Sequence, residues 1–448
     1  MNQTKETGRL EKASYYSYFL GQNIIYMLVS MYAMLFFTDY VGIFPGVVSV
    51  IFVIARVWDA VNDPMFGVIV DKSNPKKGKY KSWMGFAAVG LPIVVILLFS
   101  MPEIGTIGKI IWAAVFYLLF GMLYTISDVP AFSLTTAMTN NINERNTLLS
   151  VSRISPIIAG LLVSTTIIAL TETVGWAMGA LVIAGIGFIL MNFMRFNVKE
   201  RHVAPATNVS VRKIITYVLG NKYLLIYYAG YTLYATCSTG IFMLSYYAIY
   251  NLGNPNYIAI LSIINTIPMV FAAFLASPIC KKFGKYAVTM AVCILMVIIS
   301  VIYFFVGYDN LTMVFVFSAL ISFLTGFMAV MYPMFTADCI EYGTWKSGER
   351  GTALSFSIQT FTTKLGQAMA SGLVGVVLTV VGYTANVQQT DFALNGIFMM
   401  MTLIPALGAL LMLVIFGPFY KLRESDVAYY IAENAKNEIR TERVRADY

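Results

Sequence analysis

The chain has 448 residues, of which 58% are hydrophobic and only 12% charged, with a mean hydropathy of +0.74. A soluble protein of this size carries about twice that share of charge, so the composition excludes a water-soluble enzyme or binding domain and predicts a polytopic membrane protein. The formal net charge of +8 does not imply a nucleic-acid partner, because the cations sit in short segments between apolar runs.

Met1 to Ser14 is a polar lead with no cleavable signal, and the apolar run after it is long enough to remain in a bilayer. Runs of roughly 20 apolar residues predict six spans near Tyr18–Phe37, Val47–Val70, Trp83–Ser100, Ile110–Met138, Leu149–Leu170 and Trp176–Met194. Six more follow near Tyr223–Tyr250, Tyr257–Ile279, Tyr286–Val306, Leu311–Ala337, Thr352–Val381 and Gly396–Phe419. The fold expected is all-α, with 12 transmembrane helices in two six-helix bundles. The bundles are residues 1–200 and 222–419, joined by a cytoplasmic linker, 201–221, and followed by a cytoplasmic tail, 420–448, expected as a surface helix.

With both termini inside, all but four of the 30 Lys and Arg residues fall in cytoplasmic segments, the exceptions being Lys109, Arg56, Arg153 and Lys364. This positive-inside asymmetry fixes the expected orientation and accounts for the basic balance. The four cysteines, Cys237, Cys280, Cys293 and Cys339, show no paired spacing and read as packing residues. The single histidine, His202, lies in the linker, so any proton relay within the membrane must use carboxylates.

The first span opens with Gly21-Gln22-Asn23, amides that suit either a polar cavity or helix-to-helix hydrogen bonds. The second carries Arg56-Val57-Trp58-Asp59-Ala60-Val61-Asn62-Asp63-Pro64, in which Arg56, Asp59 and Asp63 fall at i, i+3 and i+7 on one helical face. Each charge costs about 2.5–3.5 kcal/mol at the bilayer centre, so this face is expected to turn to a bundle interior or wet cavity. Two carboxylates and the Asn62 amide oxygen on adjacent turns make a partial cage for a hard monovalent cation; a structural ion-pair knot is the competing reading. Gly67, Asp71 and Lys72, followed by a basic loop, are candidate gating residues, with simple positive-inside anchoring as the alternative. A faint echo at Lys281-Lys282-Phe283-Gly284-Lys285 hints at two repeated halves.

The fourth span contains Tyr124-Thr125-Ile126-Ser127-Asp128-Val129-Pro130, with Thr125 and Asp128 on one face. The seventh is rich in tyrosines, which suit a sugar-stacking platform or, more often, an interface belt or core packing. Asp338, Glu341 and Arg350 follow the tenth span and are further gating candidates. Deep in the spans, Asp59, Asp63 and Asp128 oppose Arg56, Arg153 and Lys364, a neutral sum. Left unpaired, six such charges would cost on the order of 15–20 kcal/mol, so they are expected to meet as a network that an entering cation unbalances.

At these motifs, together with Gly78-Lys79-Tyr80-Lys81-Ser82-Trp83, Glu341-Tyr342-Gly343-Thr344-Trp345 and Gln359, the chain resembles the glycoside-pentoside-hexuronide:cation symporters, the melibiose permease-like group of the major facilitator superfamily. The resemblance covers essentially the whole chain. It implies two six-helix bundles around a central cavity that opens alternately to each side of the bacterial inner membrane, and no enzyme activity. It implies a coupling-cation site for Na+, Li+ or H+ at Asp59, Asn62, Asp63 and Thr125, with Lys364 nearby and Asp59 and Asp63 as the metal-ligating pair, and no cofactor besides that ion. It also implies that Asp128 and Arg153 bind the sugar, joined by Tyr124, Gln22, Asn23 and Phe132. A Lys-Asp pair of the group is Gln22-Asn23 here, and Phe132 replaces a tryptophan. Loss of a cavity carboxylate beside Arg153 favours a hexuronide or related glycoside over a galactoside. The alternatives are a drug or lipid transporter on the same scaffold and a non-transporting sugar sensor.

Overall fold

The computed structural model describes residues 6–73, 75, 78–139, 141–152, 154–202, 219–348 and 352–446. Among them every regular element is helical. In hydrocarbon each backbone N–H and C=O must be satisfied within its own segment, which the helix alone does without a partner strand.

The helices are α1 (Arg9–Leu35), α2 (Pro45–Lys72), α3 (Lys79–Leu98), α4 (Thr106–Met138), α5 (Ile142–Ser152) and α6 (Ser155–Asn197). There follow α7 (Lys222–Thr236), α8 (Gly240–Tyr246), α9 (Tyr257–Phe283), α10 (Lys285–Val306), α11 (Leu311–Ser347) and α12 (Thr352–Val380). The last are α13 (Asp391–Met401), α14 (Leu403–Phe419) and α15 (Glu424–Ala446). Among the described residues nine ranges are long and apolar enough to cross a membrane. Two of the expected boundaries between spans differ for physical reasons: Gly175 breaks α6 with φ 79° so that one run holds two helices, and the seventh span is interrupted between α7 and α8. The tail helix α15 packs on α11, where Asn434 Nδ2 donates to Glu341 at 3.0 Å.

The chain divides by contact into two units. The first is Met1–Thr207 with Ile241–Ile263 and Ser371–Ile397; the second is Asn208–Gly240 with Ile264–Ala370 and Phe398–Tyr448. This grouping differs from the expected split at the linker, since α8 and the end of α12 join the first unit.

The faint echo in the sequence has a structural counterpart. In the first unit α1 packs on α6, and α3 packs on both α4 and α6; in the second, α7 packs on α14, and α10 packs on both α11 and α14. The tripeptide Gly-Lys-Tyr opens α3 at Gly78 and α10 at Gly284, each glycine at positive φ (104° and 83°). Each helix start is capped by a carboxylate from beyond a later helix of its own unit. Glu200 accepts from the N–H groups of Lys79, Tyr80 and Lys81 at 2.7–2.9 Å, and Glu424 from that of Lys285 at 2.5 Å. A carboxylate at a helix N-terminus satisfies free donors and opposes the helix dipole.

Candidate cation and solute site

Helices α2 and α4 lie side by side in the first unit, and their polar residues meet in register. Asp59 faces Gly121, and four residues later on both helices Asp63 faces Thr125. The match of steps shows that the helices run parallel at this level. Thr125 Oγ1 donates to Asp63 Oδ1 at 2.6 Å. Asp59 Oδ1 lies 2.6 Å from the place where a Cβ on Gly121 would stand, so the missing side chain is what lets this carboxylate reach α4. Asp59 is 6% exposed and Thr125 is buried, whereas Asn62 and Asp63 are half-buried.

Arg56 Nη1 is 3.4 Å from Asp59 Oδ2, within the same helix. Its guanidinium also meets the hydroxyls of Tyr26 on α1 and Tyr117 on α4. The Tyr117 ring stacks on Phe52 at 4.2 Å and 7°, which fixes where its hydroxyl can point. Tyr117, Gly121, Thr125 and Asp128 recur every three or four residues along α4, so one stripe carries the arginine's partner, the carboxylate's clearance, the hydroxyl donor and the next carboxylate.

Gln22 on α1 is fully buried, and its Nε2 donates to Asp128 Oδ1 at 3.3 Å. Its Oε1 has no hydrogen-bond partner among the described residues, as is also true of Asn62 Nδ2. Buried amide atoms left open in this way leave capacity for a polar solute or water. Asn23 spends its Nδ2 on the Phe19 carbonyl of its own helix at 2.8 Å. Tyr124 packs against Tyr26 with the rings tilted at 35° and their centroids 4.7 Å apart, and Phe132 is 39% exposed with its ring 5.2 Å from Phe19.

The structure thus brings Gln22, Arg56, Asp59, Asn62, Asp63, Tyr124, Thr125 and Asp128 onto the facing helices α1, α2 and α4. Arg153 and Arg350 lie outside the described residues, as do the side chains of Asp71 and Lys72. Lys364 belongs to the second unit. At the gating candidate Gly67, no described atom lies within 4 Å of the Cβ position. Asp338 forms an ion pair with Lys285 inside the second unit, beside the capped start of α10. Tyr26, Tyr117 and Gly121 were missed as site residues although their spacing places them on the stripes of α1 and α4. Glu200 and Glu424 had no readable signal, since their partners are distant backbone N–H groups.

A profile of the family described as MFS/sugar transport protein matches residues 14–424. The chain is similar to the inner membrane symporter YicJ of Escherichia coli (strain K12), 29% identical over 440 residues, with 96% of this chain and 95% of that one covered. It is also similar to the isoprimeverose transporter of Lactiplantibacillus pentosus, 26% identical over 415 residues, with 89% and 86% covered. Among solved structures, the nucleoside transporter NupG superposes with a TM-score of 0.67 at 13% identity, over 92% of this chain and 100% of that one. A bacterial homologue of the lysosomal transporter Spinster gives 0.67 at 9%, over 93% and 99%. The fold is therefore that of the major facilitator transporters, and the protein is a multi-pass transporter of the bacterial inner membrane and not an enzyme. The chain belongs to the MFS/sugar transport protein family.

Proposed function

We propose that this protein imports a sugar or glycoside together with Na+, Li+ or H+, by alternating access across twelve spans with both termini cytoplasmic. The observation that carries the reading is the in-register meeting of α2 and α4, which places two carboxylates, one hydroxyl and one amide on adjacent turns. Oxygen ligands of this kind suit a small hard cation. Asp59, Asn62, Asp63 and Thr125 hold the coupling ion, while Asp128, held by Gln22, offers an acceptor to sugar hydroxyls. Arg56 partly neutralises Asp59 when the ion is absent.

Sugar and cation each favour the same occluded arrangement, so each strengthens the binding of the other by the same factor, typically about 1–3 kcal/mol. The similarity to a symporter and to an isoprimeverose transporter supports a glycoside or pentoside cargo. Uptake into proteoliposomes of labelled pentosides, glycosides and hexuronides, each with Na+, Li+ or a pH gradient, tests the reading. Asp63→Cys is expected to abolish cation stimulation while leaving sugar binding. Full stimulation in that variant would move the ion elsewhere.

A further inference from the structure

The far end of α1 carries a second carboxylate that the transport site does not use. Residues Phe36–Tyr40 continue α1 as a π-helical turn, and Asp39 sits in it. Tyr383 Oη donates to both Asp39 oxygens at 2.7 Å, Tyr250 Oη donates to Oδ2, and Thr38 Oγ1 donates to Oδ1 at 2.6 Å. The two tyrosine hydroxyls are themselves 2.9 Å apart. Asn386 completes the cluster, giving its N–H to the Tyr250 hydroxyl at 3.1 Å and its side-chain amide to the Asp39 carbonyl.

Three features mark this cluster as more than local packing. Its members come from three segments far apart in the chain, all within the first unit: the end of α1, the turn after α8, and the loop after α12. The turn after α8, Tyr247–Asn251, is itself π-helical, so Asp39 and Tyr250 occupy the same fourth place in two matching turns, each followed by a glycine at positive φ, Gly42 and Gly253. Asn386 has φ 59° and is the only non-glycine described residue with positive φ, so the loop enters a sparsely populated conformation to make its two bonds.

Next to the cluster, α2 and α12 meet closely, with a glycine of one helix facing a side chain of the other at each contact. Gly372 packs against Val53 at 2.8 Å from its Cβ position, Gly46 against Thr379 at 3.1 Å, and Gly375 directly against Ser49. Small residues let helix backbones approach closely, which closes the space between them.

With the orientation proposed above, this end faces the outside. We propose that Asp39 is the latch of the outer gate, holding the first, seventh and eleventh spans together while the protein faces inward and until the emptied protein turns outward again. The inference rests on the alternating-access reading. Charge-assisted hydrogen bonds are roughly twice as strong as neutral ones, so donors converging on one carboxylate give a firm closure. The donors are neutral hydroxyls, so opening strands no buried cation, and the carboxylate it releases passes into water. A contact of that kind can exist in two states of similar free energy, as a gate requires.

The test uses full-length protein with the four native cysteines replaced by serine and a reporter Ser49→Cys, which lies against Gly375. Intact cells are exposed to a membrane-impermeant maleimide. Labelling is expected to be slow in this parent and at least about tenfold faster with Asp39→Asn or Tyr383→Phe, as the population shifts toward the open gate. In Tyr383→Phe both KM for external sugar and kcat are expected to fall, because the outward form gains population while the inward turn slows. Tyr383→Phe removes one hydroxyl and leaves the ring in place, so it decides the question if Asp39→Asn does not fold. Parental labelling rates with an unchanged KM and kcat in Tyr383→Phe would overturn the latch. Accelerated labelling in a protein that moves no sugar with any cation would leave the latch standing and reject the proposed cargo.

Discussion

Thr125 Oγ1 donates to Asp63 Oδ1 at 2.6 Å across two parallel helices, one turn from the point where Asp59 meets Gly121. Hydrogen bonds to a charged acceptor are worth about 1.5–3 kcal/mol. Thr125→Val keeps the volume and removes the oxygen, so cation affinity is expected to fall about tenfold or more. Titration of cation-stimulated sugar binding on purified protein reads this directly, and Thr125→Ser is expected to restore most of it.

Gly121 has no side chain because Asp59 occupies the space. A Cβ there would stand 2.6 Å from the carboxylate oxygen, closer than real contacts allow. Gly121→Ala is therefore expected to push Asp59 off α4 and weaken cation binding by at least about tenfold, with sugar binding retained. Gly185→Ala on α6, where the Cβ position is open, is the matched control and should behave as the parent.

Glu144, outside the spans, accepts from Lys12 Nζ at 2.8 Å, Thr7 Oγ1 at 3.0 Å, the Glu6 N–H at 3.0 Å and Thr139 Oγ1 at 3.1 Å. Burial alone would raise its carboxyl, but these donors outweigh burial and hold it down at about 2, against an ordinary value of 4.5. A depressed carboxyl stabilises the fold fully above its unfolded value and loses that contribution as pH falls from about 4.5 toward about 2. Melting temperatures in detergent are expected to drop across that window, and Glu144→Gln to flatten the drop.

Glu200 caps three N–H groups of α3, whereas Glu424 caps one of α10. Glu200→Ala is expected to destabilise by about 1–2 kcal/mol, the upper range of lost helix caps, and Glu424→Ala by less. Thermal unfolding of the two variants orders them, and equal shifts would remove the distinction.

Much of this was legible in the chain because hydrocarbon imposes strict rules. A greasy composition, cations confined to short connections and charges spaced along one face of the second span are all one-dimensional signals. They pointed to a helical membrane protein with Asp59, Asn62 and Asp63 as a group, while the transporter reading and the place of Thr125 beside them came from the family resemblance. The all-helical membrane fold and the family stand, and the structure draws together the α2 and α4 residues on which the cation reading rests. Asn23 was read as a solute ligand, and its side-chain N–H goes to the Phe19 carbonyl of its own helix. Gly67 was read as a gating residue, and its Cβ position is open.

What the sequence determined alone is which residues are too polar for lipid and on which helical face they fall, since both follow from helix period and desolvation cost. Tertiary structure decided which faces meet. The register of α2 against α4, the carboxylates that cap α3 and α10, and the convergence of Tyr250, Tyr383 and Asn386 on Asp39 join positions tens to hundreds of residues apart. No local pattern encodes such pairings, because they depend on how closely two backbones can approach, and that is settled only when the helices pack.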